Sequence, residues 1–240
     1  MKNKIVIYGG SSQISKFLFL EFYKDDCEFV IFCRNKRKVE SHIETLKLDS
    51  SRFLVHCVDL EKLEDNLKII NEINYSINGV VWVAGSTGNP EKEIANPDSC
   101  KNNYNINLIN PILIINQLIP KISDGGFISV ITSVAGVRGR SKRLFYCSAK
   151  AGLINYLSGL RQMLHKRNIL VNTVIPGYMS TDSFTENASK FLIVNPSKAA
   201  KIIYKSIKKK KEIVYVGLVW KIISFVIKLI PENIFKKLSF

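Results

Sequence analysis

The sequence lacks the cysteine and histidine patterns that mark disulfide-stapled and zinc-binding proteins. Its five cysteines are widely spaced and form no C-x-x-C pair, so neither a disulfide framework nor a zinc knuckle is indicated. The three histidines, His42, His56 and His165, lie far apart and match no H-E-x-x-H motif. We therefore expect no metal site and no zinc-dependent alcohol oxidation. These absences fit a protein of the reducing cytoplasm.

Low-complexity segments and an apolar leader are also missing. The first apolar run, residues 5–7, is too short for the core of a signal peptide, and we expect no export. The 13 glycines and seven prolines show no period and no unit recurs, which excludes collagen-like, disordered and solenoid classes. With 240 residues, 46% of them hydrophobic, the chain is predicted to form one large core-forming domain.

Positive charge is concentrated at the C-terminus. Residues 197–240 contain eleven lysines and two glutamates, so they carry +9 of the formal net charge of +15. These lysines are interleaved with the apolar stretch 213–230, whereas a nucleic-acid groove combines basic residues with scattered aromatics. The pattern favours an anionic lipid surface and no nucleic acid. Alternatively, Lys208–Lys211 is a solvated helix end.

Seven short runs rich in Val, Ile and Phe are typical of strands that are buried on both faces. Between them lie helix-length segments with apolar residues at three- and four-residue spacing. This alternation predicts an α/β fold: a single Rossmann-type, doubly wound parallel sheet with helices on both faces and ligands at the carboxyl ends of its strands. The predicted strands are 4–8, 29–33, 53–58, 79–84, 126–132, 170–174 and 212–216; the predicted helices are 14–23, 36–47, 60–73, 105–120, 144–165 and 197–208.

The turn after the first predicted strand contains candidate phosphate-binding residues. It includes Gly9, Ser11, Ser12, Gln13 and Ile14, and such a turn brings backbone N–H groups and a helix N-terminus to a pyrophosphate. The alternative is an ordinary loop capped by Ser11 or Ser12.

The second predicted strand ends at Arg34 without a nearby carboxylate. An acid there would bind the ribose 2′-OH, whereas arginine accommodates a 2′-phosphate, so NADP(H) is preferred over NAD(H). Arg34 could equally open a solvated helix. Asp59, followed by Leu60, is either a contact for the adenine or the N-cap of the next helix.

A serine, a tyrosine and a lysine form the candidate catalytic group. Ser133 follows a predicted strand, and Tyr146 and Lys150 are four residues apart on a predicted helix, so their side chains share one face. We expect the amine to lower the pKa of the phenol. Tyr146 would then protonate a carbonyl oxygen held by Ser133 while hydride arrives from a nicotinamide.

These three residues resemble the Ser…Tyr-x-x-x-Lys signature of the short-chain dehydrogenase/reductase family. The resemblance to this family extends over roughly residues 1–216. The resemblance implies that Asn107 is the fourth catalytic residue, retaining a water in a relay to the lysine, and that Lys150 also holds the ribose. It further implies cofactor contacts at Gly9, at Ala84 and Gly85, and at Pro176, Gly177 and Thr181. The chain departs from the family pattern at four positions: Tyr8, Gln13, Ser15 and Val83. Side chains at 13 and 15 are expected to restrict the approach of a phosphate.

A narrower resemblance is to the family branch that reduces a keto sugar on a polyprenyl phosphate during cell-envelope synthesis. It is carried by residues 134–140, by 158–161 and by the Trp-containing tail that ends in Pro231. Arg138 and Arg140 would clamp a substrate phosphate near the mouth of the pocket. Alternatively they belong to a solvated basic loop.

The tail defines a second segment, with residues 1–216 as the catalytic domain and 217–240 as an apolar, basic extension. Gly217, Lys221, Ser224, Lys228 and Glu232 fall on one stripe of an amphipathic helix, and apolar residues cover the rest. Such a helix suits a membrane interface. Spanning is disfavoured because central lysines cost about 2.5–3.5 kcal/mol each. The apolar face would alternatively bury against another subunit, and we expect a homo-oligomer.

Three functional hypotheses follow. The first is an NADP(H)-dependent carbonyl reductase, peripheral on the cytoplasmic membrane face, acting on a lipid-linked or membrane-delivered keto sugar. The second is a soluble reductase of small ketones or 3-oxoacyl substrates whose tail serves oligomerisation. The third is a non-catalytic dinucleotide sensor or scaffold, suggested by Gln13 and Ser15 in the phosphate loop.

Overall fold

The computed structural model describes residues 2–180 and 192–238. Seven parallel strands form one sheet in the order β3-β2-β1-β4-β5-β6-β7. The strand order reverses direction between β1 and β4, which confirms the predicted doubly wound sheet. The strands are β1 (Lys4–Tyr8), β2 (Glu28–Cys33), β3 (Phe53–Cys57), β4 (Ile77–Trp82), β5 (Ile122–Ile131), β6 (Leu170–Pro176) and β7 (Ile213–Val216).

Helices cover both faces of the sheet. One apolar core, which includes Leu18, Val39 and Ile203, joins the sheet to α1, α2 and α8, and a second core, which includes Ile70 and Leu157, joins it to α3, α6 and α7. The helices are α1 (Gln13–Tyr23), α2 (Lys36–Thr45), α3 (Leu63–Glu72), α4 (Pro90–Ala95), α5 (Pro97–Tyr104), α6 (Asn110–Leu118), α7 (Leu144–Leu164), α8 (Pro196–Lys208), α9 (Leu218–Leu229) and α10 (Glu232–Phe235).

The seven predicted strands are present, with shifts at their ends. The helix predicted from Leu60 begins at Leu63, and the one predicted over 105–120 is divided into a π-helical turn, Asn105–Ile109, followed by α6. Sequence reasoning missed α4 and α5. Both are short and polar, and each begins with an Asn cap followed by proline, so they carry no apolar periodicity.

A row of stacked rings crosses the carboxyl end of the sheet. Tyr8, which stands where the family pattern has threonine, lies between Phe32 at 4.2 Å and Trp82 at 4.6 Å between ring centroids. The ring of Phe32 stacks in turn on His56 at 5.2 Å. This row fills the sheet surface at the carboxyl ends of strands β1 to β4 with apolar and aromatic contacts.

The C-terminal segment, residues 217–238, packs directly on the rest of the chain through one face of α9. Trp220 is buried, and its indole N–H donates to the carbonyl of Leu192 at 2.8 Å. Ser224 is also buried, while Lys221 and Lys228 are exposed, so the expected stripe does not form one solvent-facing surface. None of the helices within 2–180 and 192–238 is both long enough and apolar enough to cross a bilayer.

Candidate active site

A cleft of about 730 Å³ opens at the carboxyl ends of β1, β2, β4, β5 and β6. Parallel strands deliver the residues that follow them to this single edge, which is where a doubly wound sheet binds its ligand. Its lining includes the predicted residues Gly9, Ser11, Ser12, Gln13, Ile14, Arg34, Asp59, Leu60, Ala84, Gly85, Ser133, Arg140, Tyr146, Lys150, Pro176 and Gly177.

The phosphate-binding turn has the conformation that a close backbone approach requires. Gly9 has φ +88°, and a Cβ there would lie 2.7 Å from the Ala84 nitrogen, so a side chain does not fit. Ser12 caps α1 by accepting the N–H of Ser15 at 3.0 Å. The N–H groups of Gln13 and Ile14 in the first turn have no carbonyl partner within the helix, which leaves them for an anion.

Ser15 does not obstruct this turn. Its side chain is fully buried, and its hydroxyl donates to the Gly9 carbonyl at 2.8 Å. The hydroxyl of Ser12 donates to that of Ser15 at 3.0 Å. Ser15 therefore braces the loop from inside, and this corrects the expectation that its side chain restricts a phosphate. Gln13 lines the cleft, as expected.

The end of the cleft near β2 and β3 carries the residues predicted to contact the ribose and base of a nucleotide. Arg34 lies exposed at the end of β2, and Lys38, which sequence reasoning missed, joins it on the cleft wall. Lys38 lies in the first turn of α2, which begins at Lys36, and this place just after the β2 end is its sequence signal. Asp59 accepts the N–H of Glu61 at 3.1 Å and does not cap α3, which begins at Leu63.

Ser133, Tyr146 and Lys150 meet in the middle of the cleft. Tyr146 and Lys150 lie one turn apart near the start of α7, and the lysine Nζ is 5.6 Å from the centroid of the tyrosine ring. Ser133 caps the short turn Val134–Val137 and hydrogen-bonds to the phenol of Tyr146. The serine hydroxyl and the phenol thus converge on one point, where a carbonyl oxygen can accept two hydrogen bonds.

Burial sets the ionisation of both groups. It raises the pKa of Tyr146, and the hydrogen bond from Ser133 and the charges of Arg143 and Arg140 are the main effects that oppose this rise. The expectation that Lys150 lowers the pKa of the phenol is therefore corrected. Burial lowers the pKa of Lys150 to about 8, because its ammonium loses hydration. Tyr146 is thus neutral at pH 7, in the form that donates a proton.

Asn107 belongs to the π-helical turn Asn105–Ile109, and its side chain lies on the same side of Gly85 as Lys150 of α7. It is fully buried, and its carboxamide is paired with the backbone of Ser86: Nδ2 donates to the carbonyl at 2.7 Å, and Oδ1 accepts the N–H at 3.1 Å. A Cβ on Gly85 would lie 3.1 Å from both Asn107 Oδ1 and Lys150 Nζ. The glycine predicted from the family pattern therefore leaves space between these two groups.

The third wall of the cleft is formed by Pro176 and Gly177 at the end of β6. A Cβ on Gly177 would overlap the indole ring of Trp220, so α9 is seated on this glycine. Tyr178 packs edge-on against the same indole, with centroids 5.0 Å apart. Thr181, also predicted to contact the cofactor, lies outside the residues that the structure describes.

The two arginines between Ser133 and Tyr146 have different surroundings. Arg138 donates to the carbonyls of Ile227 and Ile230, contacts the Glu232 carboxylate at 2.6 Å and stacks on Phe235. These contacts with the C-terminal end of α9 correct the expectation that Arg138 clamps a substrate. Arg140 does line the cleft.

Arg143 is a further cationic residue of the cleft that sequence reasoning missed. Its charge, like that of Arg140, lowers the pKa of Tyr146 and opposes the effect of burial. Arg143 stands directly before the predicted helix that carries Tyr146, and this position is the sequence signal that would have found it.

Comparison with known proteins agrees with this geometry. The short chain dehydrogenase family profile matches residues 3–191. Carbonyl reductase family member 4 of Danio rerio is 27% identical over 186 residues, covering 76% of this chain and 78% of that protein. The 3-oxoacyl-acyl-carrier-protein reductase FabG of Aggregatibacter actinomycetemcomitans is 30% identical over 199 residues, covering 78% and 80%.

A solved structure shares the same fold. A short chain dehydrogenase from Burkholderia cenocepacia J2315, in complex with NADP, superposes with a TM-score of 0.82 at 14% identity, covering 98% of this chain and 97% of that one. The chain belongs to the short chain dehydrogenase family and is an oxidoreductase. Its glycine turn, helix N-terminus and basic residues fit a dinucleotide that carries phosphates.

Proposed function

We propose that the protein reduces a carbonyl group to an alcohol with NADPH. The observation that carries this proposal is the meeting of Ser133, Tyr146 and Lys150 in the cleft that begins at the Gly9 turn. Bound NADPH supplies a hydride to the carbonyl carbon. Ser133 holds the carbonyl oxygen, and Tyr146 gives it a proton, so that no free alkoxide accumulates.

Three further features support the assigned roles. Lys150, with a pKa of about 8, is mainly an ammonium at pH 7 and can hold a ribose hydroxyl by donating to it. Asn107 Oδ1 and the Lys150 ammonium border the same space beside Gly85. Arg34 and Lys38 at the ribose end support NADP(H) over NAD(H), because two cations complement a 2′-phosphate.

Loss of NADPH absorbance in the presence of keto substrates tests this function directly. A panel should pair a keto sugar on a short polyprenyl phosphate with 3-oxoacyl thioesters and simple ketones, each with NADPH and with NADH. We expect turnover with NADPH and slower turnover with NADH. Tight NADPH binding with no turnover on any substrate would favour the sensor or scaffold hypothesis.

We further propose a lipid-linked or membrane-delivered keto sugar as the substrate, reduced at the inner face of the cell membrane. The support is the outward face of α9, where Leu218, Ile222, Phe225 and Leu229 are each at least 59% exposed. Lys221 and Lys228 are exposed on the same helix. An exposed apolar face with adjacent lysines suits an anionic bilayer interface.

The position of this helix relative to the cleft adds to the argument. The inner face of α9 packs on Gly177 through Trp220, and Arg140 and Arg143 line the cleft near Tyr146. A substrate whose lipid stays in the bilayer would therefore enter from the side of α9, where Arg140 on the cleft wall complements its phosphate.

Vesicle flotation tests the membrane proposal. We expect the full chain to float with vesicles that contain phosphatidylglycerol and to lose binding in the variant Ile222→Glu/Phe225→Glu. Leu54→Glu, which places a charge at an exposed apolar residue of β3, is the matched control and should still float. Equal recovery of all three proteins in the vesicle-free fraction would refute the proposal.

The second candidate is a soluble reductase of ketones or 3-oxoacyl substrates. It is favoured by the identity of 30% to FabG and 27% to carbonyl reductase family member 4. The apolar face of α9 would then be buried between subunits. A wild-type oligomer that dissociates in Ile222→Glu/Phe225→Glu, without any vesicle binding, would favour this candidate.

A further inference from the structure

Two buried polar residues outside the proposed catalytic group adjoin Asn107. Glu93 on α4 is 5% exposed and Asn103 on α5 is 4% exposed. Asn103 Nδ2 donates to Glu93 Oε1 at 2.6 Å, and Asn107 Nδ2 donates to Asn103 Oδ1 at 3.0 Å. These bonds make a continuous chain from a carboxylate to the catalytic asparagine. A buried carboxylate is costly unless its hydrogen bonds are made, so its position needs a reason.

This series of hydrogen bonds has a fixed direction because its first member, Glu93 Oε1, is an acceptor. Glu93 Oε1 accepts from the NH₂ group of Asn103, and this turns Asn103 Oδ1 towards Asn107. The NH₂ group of Asn107 then faces Asn103 and the Ser86 carbonyl, and Asn107 Oδ1 faces the Ser86 N–H and the space beside Lys150. If Asn103 were reversed, two NH₂ groups would oppose each other.

The backbone is shaped to accommodate this pair. Gly88 has φ +68°, and a Cβ there would collide with Glu93 Oε1 and Asn103 Nδ2. The residue is thus confined to glycine by both its conformation and its neighbours. The Nδ2 of Asn107 also donates to the main-chain carbonyl of Asn103 at 3.1 Å, so α5 holds the catalytic amide through two acceptors.

We propose that Glu93 and Asn103 are positioning residues for the reduction, acting through the orientation of the Asn107 carboxamide. Together with the Ser86 backbone they keep Asn107 Oδ1 directed at the space beside the Lys150 ammonium. This inference rests on the proposed reductase function, in which Asn107 supports the proton relay. It assigns a role to α4 and α5, which sequence reasoning did not predict.

Steady-state kinetics with urea unfolding and NADPH titration test the proposal. Glu93→Leu removes the acceptor, and we expect kcat to fall by roughly 10- to 100-fold, the size of effect that a small displacement of a catalytic group produces. The dissociation constant of NADPH should stay within about 2-fold, since such a displacement acts on the reacting geometry and not on cofactor binding. Glu93→Gln keeps an acceptor oxygen and should retain most of kcat. Glu91→Leu, the same change at an exposed position of α4, is the matched control.

The double variant Glu93→Leu/Asn103→Leu separates positioning from folding. It leaves neither a buried acceptor nor a buried donor unpaired, so its unfolding midpoint should recover towards wild type while kcat stays low. Wild-type kcat in Glu93→Leu, or a kcat that recovers together with stability in the double variant, would overturn the proposal.

An outcome that does not depend on turnover distinguishes this inference from the reductase function. If the wild type reduces no substrate, the reductase proposal fails. The hydrogen-bond chain is then tested by a double-mutant cycle of Glu93→Leu and Asn107→Leu in urea unfolding. Non-additive changes in the free energy of unfolding are expected for residues joined through Asn103, and additive changes would contradict the chain.

Discussion

Replacing Lys150 with methionine tests the cost of burying an amine in the cleft. Lys150 is 2% exposed, and its pKa falls from 10.5 to about 8. Each pKa unit corresponds to about 1.4 kcal/mol, so the protonated side chain destabilises the cofactor-free protein by about 3 kcal/mol relative to its neutral form. Lys150→Met removes the charge at nearly constant length. We expect this variant to gain stability at pH 7 while losing activity.

The sign of the pH dependence follows from the direction of the shift. Below pH 8 the lysine is protonated in both states and the full penalty is present. Between pH 8 and 10.5 the unfolded chain binds more protons than the folded one, so wild-type stability rises relative to Lys150→Met. The difference in the free energy of unfolding between wild type and Lys150→Met should narrow by about 2 kcal/mol from pH 7.5 to 9.5.

Urea unfolding of the cofactor-free proteins at these two pH values measures the effect. Groups common to both proteins cancel in the difference. Lys201→Met, at an exposed position of α8, is the matched control and should show a difference that is independent of pH. A difference between wild type and Lys150→Met that stays constant from pH 7.5 to 9.5 would refute the desolvation argument.

Two further substitutions probe the walls of the cleft. Trp220→Ala should reduce the free energy that holds α9 against Gly177 by about 3–5 kcal/mol, and the C-terminal segment should be proteolysed faster. Phe225→Ala, on the exposed face of α9, should have little effect. Equal proteolysis of the two variants would contradict the seating. Gly85→Ala places a Cβ 3.1 Å from both Asn107 Oδ1 and Lys150 Nζ, and we expect kcat to fall by about 10-fold or more. The control is Gly139→Ala, whose Cβ meets no atom within 4 Å and which should leave kcat unchanged. Equal kcat values in the two glycine variants would show that the space beside Lys150 is not needed.

The sheet was predictable because each strand carries a local signal. Runs such as Val6–Tyr8 are buried on both faces, so apolarity alone marks them. The residues that follow β1, β2 and β5 were predictable for the same reason, since parallel strands deliver them to one edge. The candidate catalytic residues were predicted in two ways: Tyr146 and Lys150 from their four-residue spacing on one helix, and Ser133 from its place after a strand and the resemblance to a family.

Long-range contacts could not be derived from local pattern. Arg138 stands next to the cleft in sequence, but residues about 90 positions away, at the end of α9, satisfy its guanidinium. Ser15 looks like an obstruction until its hydroxyl is seen to bond the Gly9 carbonyl. The pKa of Tyr146 depends on desolvation, which is a property of the closed cleft and not of its spacing from Lys150.

The central claim is that the phenol of Tyr146 protonates the carbonyl oxygen during reduction. The most direct test is the rate of turnover by Tyr146→Phe. The substitution removes one oxygen beside Ser133 and leaves the cofactor turn at Gly9 untouched. We predict that NADPH still binds with a similar dissociation constant and that carbonyl reduction falls by about 10²-fold or more. Tyr104→Phe, at a tyrosine that bonds Ser148 and is not part of the cleft, is the control. Wild-type turnover in Tyr146→Phe would contradict the account.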